Sequence, residues 1–262
     1  MDGIEKRLRR IFRNDGKTVI VPMDHGVTLG PVQGLQDMHR TVSNLLEAGI
    51  DAFVLHKGIA KAVNTANAGL IVHVSASTKY APDPNRKVRV CSVPEALRLG
   101  ADAVSVHINM GAPSETEMLT KLGDIADESH AHGLPLLAMM YPRGPSIQNE
   151  HDKNVLAHVA RLGAELGADI VKTNYTGESE SFREVVASCP VPLIIAGGPK
   201  AETDREVLQM VYDANAAGCA GLSIGRNVFQ HRDPKGMARA LVAIVHDNAT
   251  VDDALSMIGG KK

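Results

Sequence analysis

The chain has 262 residues, 44% of them hydrophobic and 22% charged, a balance that excludes wholesale disorder and suffices for a substantial buried core. Lys and Arg number 28 against 30 acidic residues, so the net charge of -2 leaves no basic surplus for nucleic acid. Aromatic residues make up 3% with no Trp, which excludes a base-stacking platform or a carbohydrate-stacking cleft.

The amino-terminal segment Met1–Arg13 carries Ile4, Leu8, Ile11 and Phe12 at helical spacing. It predicts a short amphipathic helix packed on the domain or on a neighbouring subunit. Targeting is the weaker reading, because Asp2 and Glu5 interrupt the basic cluster and no apolar signal core follows. No run approaches the ~20 apolar residues of a membrane span, so neither membrane nor nucleic acid is an expected partner. Cys91, Cys189 and Cys219 are odd in number and lack C-x-x-C spacing, which predicts a reducing cytoplasm without disulfides or a thiolate zinc site.

Eight short apolar runs follow: Thr18–Met23, Ala52–Leu55, Leu70–Val74, Ala103–His107, Leu136–Met140, Ile170–Lys172, Leu193–Ala196 and Gly221–Ile224. Each is continuous, as in a parallel sheet buried on both faces. Amphipathic stretches separate most of them. Val155, Val159, Leu162 and Leu166 form one predicted apolar stripe, and Met237, Leu241 and Ile244 another. Ser92 with Glu95, Ser114 with Glu117 and Thr203 with Glu206 read as capping boxes, and Asp233-Pro234 as a further helix start. Gly49, Gly100, Gly133, Gly167 and Gly218 read as helix terminators. The phrases GIDAFVLH, GADAVSVH, GADIVKTN and GCAGLSIG repeat one helix–strand joint. No linker divides the chain. The pattern predicts an α/β fold, a single (β/α)8 TIM barrel over residues 1–262, preceded by the short helix. A doubly wound sheet fits less well, since no G-x-G-x-x-G follows the first strand.

In such a barrel the carboxyl ends of the strands build the site. They bring Asp24-His25, His56-Lys57, His73, His107, Tyr141-Pro142-Arg143, Lys172, Gly197-Gly198 and Gly225-Arg226 to one face. Glycines at the seventh and eighth strand ends let backbone N–H groups approach an oxyanion, and Arg226 adds charge; plain loop geometry is the alternative. The expected substrate is a phosphorylated small molecule. Lys172 shares the parity of Ile170, so it points into the mouth, where burial disfavours the ammonium and suits a Schiff-base nucleophile. A lysine snorkelling from the rim fits the same position. Asp24 and Tyr141 can project toward it as proton-transfer groups, though a core tyrosine is the plainer reading of the latter. His25, His56, His73 and His107 suggest a divalent metal site, but no H-x-H stands on the first strand and no later strand completes a ligand set. No metal is therefore expected.

The segments Val19–Gly26 (VIVPMDHG), Ala138–Gly144 (AMMYPRG), Ala168–Tyr175 (ADIVKTNY), Ala196–Pro199 (AGGP) and Gly225–Gln230 (GRNVFQ) resemble, in order, the archaeal-type class I aldolase family. The likeness runs from about Arg10 to Ala254. It implies Lys172 as Schiff-base lysine, Asp24 as proton acceptor and Tyr141 as proton donor. It places substrate contacts on Asp24, His25, Gly26, Val27, Thr28, Tyr141, Pro142, Arg143, Lys172, Gly197, Gly198, Gly225 and Arg226. It also implies a cofactor-free cytoplasmic enzyme that assembles as a homodecamer. The phrases VPMDHG, AMMYPRG and LGAELGADIVKT are most similar to members that pass a hydroxyacetone unit from 1-deoxy-D-threo-hexo-2,5-diulose 6-phosphate to L-aspartate 4-semialdehyde, on a route to aromatic amino acids. Fructose-bisphosphate aldolases, or related enzymes using dihydroxyacetone phosphate, are the other implied activity. Archaeal fructose-bisphosphate aldolases generally carry a Trp shortly before the tyrosine, where this chain has Met139 and Met140.

Overall fold

The structure, a computed structural model, describes residues 2–259. Its strands are β1 (Thr18–Pro22), β2 (Ala52–His56), β3 (Gly69–His73), β4 (Ser75–Ala76), β5 (Val88–Arg89), β6 (Ala103–Met110), β7 (Leu136–Pro142), β8 (Ile170–Thr173), β9 (Leu193–Ala196) and β10 (Gly221–Ser223). All but β4 and β5 close a parallel barrel in the order β1-β10-β9-β8-β7-β6-β3-β2. The eight expected strands are therefore the eight of the barrel. The antiparallel β4–β5 hairpin, inserted between β3 and the helix at 93–98, had no counterpart in the apolar pattern. The ring closes where Thr18 pairs with Gly221, whose φ of 128° belongs to glycine and whose Cβ would strike the Thr18 carbonyl.

Two apolar clusters divide the core. The larger lies between the strands and the surrounding helices. The smaller fills the barrel with every second strand residue, such as Ile20, Val54, Ile71, Met139, Ile170 and Ile194. Ile11, fully buried, belongs to this inner cluster and plugs the amino-terminal end of the barrel, with Leu8 and Phe12 packed beside it. The plug is anchored by Thr18 Oγ1, which donates to the Ile11 carbonyl at 2.6 Å. The preceding helix, Gly3–Leu8, docks on its own domain through Arg7, which donates to the Gly133 carbonyl at 2.7 Å. Met1, the start of the predicted segment, lies outside the described residues.

Helix boundaries follow their sequence signals with two corrections. Thr203 and Glu206 form a reciprocal capping box, Ser92 accepts from the Glu95 N–H, and Asp233 accepts from the Gly236 N–H. Ser114 caps nothing; its hydroxyl donates to Asp83 instead, at 3.2 Å. The buried face of helix 153–165 is Leu156, Val159, Ala160 and Gly163, about one residue round from the predicted stripe, because small residues there let the helix lie close to the sheet. The five glycines expected to end helices all take positive φ, from 62° to 96°.

The repeated joint has a specific purpose at this end of the barrel. Asp51, Asp102 and Asp169 precede β2, β6 and β8, and each accepts from the backbone N–H of the neighbouring strand: Val19, Leu70 and Leu136, at 2.6, 2.9 and 2.8 Å. Each also meets a basic side chain: Arg13 and His246 at Asp51, Arg10 at Asp102, His130 at Asp169. His246, near the end of helix 234–247, is the most buried of these, with Nδ1 2.7 Å from Asp15 and Nε2 2.8 Å from Asp51. No helix among the described residues is long and apolar enough to cross a membrane.

Burial alone would lower the His246 pKa, but the hydrogen bonds to Asp51 and Asp15 outweigh it and raise it above the usual value. A raised folded-state pKa means stability fully present below about 6.5 and lost as pH climbs through the folded value. His246→Gln is therefore expected to cost more at pH 6 than at pH 8.5, the difference being about 1 kcal/mol, or roughly 2–4 °C in thermal midpoint. Equal losses at both pH values in a melting series would show that the imidazolium contributes nothing.

Candidate active site

The alternation that fills the barrel also decides what reaches its mouth. Two residues beyond inward Ile170 stands Lys172; two beyond Met139 stands Tyr141; two beyond Val54 and Ile71 stand His56 and His73. Asp24 continues the inward parity of Ile20 one turn past the end of β1. Lys172 is 5% exposed and Tyr141 8%, so both are held inside the mouth and neither reaches bulk water. Snorkelling to solvent is thereby excluded for Lys172.

These groups surround a cavity of about 260 Å³ at the carboxyl ends of the strands. Asp24, His25, Thr28, Tyr141, Arg143, Lys172, Gly197, Gly198, Gly225 and Arg226 line it, as expected from the sequence. Gly26, Val27 and Pro142 do not. The first two lie on the short helix His25–Leu29, where Val27 is turned outward and 41% exposed. Pro142 follows Tyr141, so strand alternation sends it to the opposite face. Lys57 and Lys200 are also absent from the lining: Lys57 pairs with Glu95 at 3.1 Å and Lys200 donates to the Gln230 carbonyl.

Asp24 is the electrostatic centre. His25 Nδ1 lies 3.5 Å and His73 Nε2 3.8 Å from its carboxylate. Burial would raise the Asp24 pKa, but His73, His25, Lys172 and His56 together outweigh it and hold the carboxyl ionised, below the usual range. Burial acts the other way on the histidines. It pushes His73 down to about 4 against the pull of Asp24, and lowers His25, His56 and His107 as well. They are neutral hydrogen-bonding groups at physiological pH. His73 is fixed between the Ser105 hydroxyl at 2.8 Å and the Ser75 hydroxyl at 3.3 Å, and His107 by Asn109 at 2.8 Å. Asp24, His56 and His73 offer ligand atoms that all lie within 4.8 Å of one another, so a divalent ion could be held there. No local spacing signals this set, because Asp24 follows β1 while His56 and His73 end β2 and β3, strands that are brought side by side only in the ring.

The β9 and β10 turns form one end of the cavity. Arg226 donates to the Gly198 carbonyl at 2.9 Å, and Asn227 to those of Gly197 and Pro199, so the two turns are stapled together. Gly225 sits so tightly against Pro22 and His25 that a Cβ would fall 2.6 Å from the Pro22 carbonyl oxygen. Ser223 Oγ and Arg226 Nε are buried here without a hydrogen-bond partner among the described residues. Two unpaired polar groups beside open glycine backbone are fitted to an anion.

At the other end stand Lys87, His107 and Arg143. The Arg143 guanidinium lies over the Tyr141 ring, 5.1 Å from its centroid, and the His107 ring is 4.9 Å from the same ring. Sequence reading missed Lys87 and Ser223. Ser223 could have been found, since it shares the parity of Gly221 and Gly225. Lys87 sits in the β4–β5 insertion, where the only signal was an unusually long connection between a strand and its helix.

Residues 18–231 match the DeoC/LacD family aldolase. A 2-amino-3,7-dideoxy-D-threo-hept-6-ulosonate synthase of Halobacterium salinarum is 47% identical, over 98% of this chain and 97% of that protein. A 2-amino-4,5-dihydroxy-6-oxo-7-(phosphonooxy)heptanoate synthase of Streptomyces griseus is 42% identical, over 93% and 90%. An archaeal fructose-1,6-bisphosphate aldolase, solved with its catalytic lysine covalently bound to the carbinolamine intermediate, superposes with a TM-score of 0.88 at 34% identity, over 92% of this chain and 99% of its own. With the family profile covering most of the barrel and relatives this similar along nearly their whole length, the chain belongs to the DeoC/LacD family of aldolases.

Proposed function

We propose that the chain is a Schiff-base synthase that transfers a hydroxyacetone unit from 1-deoxy-D-threo-hexo-2,5-diulose 6-phosphate to L-aspartate 4-semialdehyde, giving 2-amino-3,7-dideoxy-D-threo-hept-6-ulosonate for the aromatic amino acid route. The observation that carries the chemistry is Lys172, an amine buried in the barrel mouth with an ionised carboxylate and a phenol lining the same cavity. The identity to named synthases over nearly the full length supports the choice of substrates.

Lys172 Nζ adds to the C2 ketone of the diulose, and loss of water leaves a protonated imine. Asp24 accepts the C4 hydroxyl proton as the C3–C4 bond breaks; the bond's electron pair flows into the imine, giving an enamine on Lys172. The C4–C6 fragment departs as an aldehyde bearing the phosphate. Aspartate semialdehyde takes its place, the enamine carbon attacks the new aldehyde, Tyr141 donates the proton that the resulting alkoxide needs, and the proton held by Asp24 returns to the phenolate through solvent, restoring both groups. Water then hydrolyses the imine, releasing product and free lysine. The histidines around Asp24 hold its carboxylate in place, His25 Nδ1 at 3.5 Å and His73 Nε2 at 3.8 Å. The transformation requires no metal or organic cofactor. The family resemblance supports reading it as a cytoplasmic homodecamer.

One observation favours a second reading. The glycine turns and Arg226 suit a phosphate attached directly beside the ketone, as in dihydroxyacetone phosphate, whereas the diulose carries its phosphate on the departing fragment. The Streptomyces griseus relative, whose named product keeps a phosphonooxy group, is consistent with such a donor. Product analysis with aspartate semialdehyde and either the diulose phosphate or dihydroxyacetone phosphate, beside a fructose 1,6-bisphosphate cleavage assay, separates the readings.

Borohydride with the phosphorylated donor is expected to inactivate the enzyme and fix one adduct on Lys172. Lys172→Met should abolish the adduct, while Asp24→Asn and Tyr141→Phe should each slow turnover by ~10²–10⁴-fold. Lys87 is the rival amine in the cavity, so a peptide map that found the adduct there would overturn the assignment. Dialysis against EDTA should leave activity unchanged; loss on chelation with recovery on zinc would transfer the chemistry to Asp24, His56 and His73.

A further inference from the structure

The ring order fixes where the two ends of the cavity lie. β10 and β9 are adjacent, and directly across the ring from them are β6 and β3. The β4–β5 hairpin is inserted between those two strands in the chain, and it carries Lys87 immediately before β5. Lys87 is 9% exposed and lines the same cavity as Lys172. Its ammonium donates to the Ser77 hydroxyl and to the Pro84 carbonyl at 2.9 Å, both neutral, and forms no salt bridge among the described residues. Asp24 and Asp83 attract this lysine only from beyond hydrogen-bond reach, so a buried ammonium with neutral direct partners beside an open cavity is left for an anion to complete. Arg143 stands at the same end and is only partly neutralised by Glu150, 3.6 Å away.

Tyr141 tells which reactant this end receives. On the proposed mechanism, on which this inference rests, the phenol serves the oxygen of the exchanged aldehyde. Its ring is flanked by His107 and Arg143, so the aldehyde lies on the Lys87 side of Lys172 and away from the glycine turns. We propose that Lys87, with Arg143 beside it, is a specificity-determining anion site for the aldehyde: it binds the phosphate of the departing fragment and then the carboxylate of the entering acceptor. The glycine turns across the ring are a separate anion site, on the other arm of the imine carbon.

Burial agrees with the assignment: desolvation and Arg143 lower the Lys87 pKa more than Asp24 and Asp83 raise it, and an incoming anion would offset that imbalance.

Competition between acceptors in one reaction tests the proposal, because the product ratio is independent of how fast the enzyme is loaded by donor. Aspartate semialdehyde is set against butanal, its uncharged four-carbon counterpart, and glyceraldehyde 3-phosphate against glyceraldehyde. The unmodified enzyme should prefer the member of each pair that carries a carboxylate or phosphate, among those it turns over, and Lys87→Met should reduce that preference by about 10- to 100-fold, the size of one charge-assisted hydrogen bond. Borohydride trapping at Lys172 with saturating donor should persist in Lys87→Met, which shows that the barrel and the imine chemistry are intact. An unchanged preference, or parallel losses for charged and uncharged aldehydes, would overturn the assignment. If aspartate semialdehyde is not a substrate of the unmodified enzyme, the proposed acceptor is wrong, and the glyceraldehyde pair still decides the role of Lys87. Failure of the unmodified enzyme to prefer any anionic aldehyde would overturn the Lys87 site itself.

Discussion

Side chains on a strand alternate between two faces, and a closed barrel turns one of those faces into a sealed interior. Each strand therefore delivers every second residue inward, and the last inward position on each is the one that meets the mouth. In this chain the inward positions at or just beyond the strand ends include Asp24, His56, His73, His107, Tyr141 and Lys172, while glycines follow β9 and β10 in the turns at Gly197 and Gly225. One periodicity thus packs Ile170 into the core and presents Lys172 to the substrate. The cost is that several polar groups are gathered where water cannot fully solvate them. The structure meets it by keeping the histidines neutral and concentrating negative charge on Asp24.

The two ends of the barrel handle polar groups in opposite ways. At the amino-terminal end Asp51, Asp102 and Asp169 each bind a neighbouring strand's N–H and a basic side chain, so the joints are saturated. At the mouth, among the described residues, Ser223 Oγ and Arg226 Nε are buried without partners and the Lys87 ammonium donates only to neutral ones. A group left incomplete in the free protein is one that a ligand can complete, so the rigid saturated end holds in place an end whose interactions are finished by substrate.

Most of the barrel was legible in the sequence because its signals are local. The eight apolar runs, the glycines that end helices and the Thr203–Glu206 box depend on residues a few positions apart. The parity of Lys172 with Ile170 was legible for the same reason. Signals failed where a distant partner decides the outcome. Ser114 gave its hydroxyl to Asp83, and the approach of helix 153–165 to the sheet shifted its buried face. The convergence of Asp24, His56 and His73 required ring order as well as strand identity. Lys87 was hidden because an insertion with two short strands has neither period.

The plug formed by Ile11 makes the barrel a cul-de-sac, and this governs traffic as well as stability. With the floor shut, the departing aldehyde has to back out through the opening by which its successor arrives. The two cannot pass inside a chamber of about 260 Å³. The lysine must therefore hold its three-carbon cargo alone for an interval between visitors, and during that interval water is the competitor. The amino-terminal segment, far from any reacting atom, thereby imposes a strict alternation of guests and makes the lifetime of the loaded lysine a property of how the mouth is guarded.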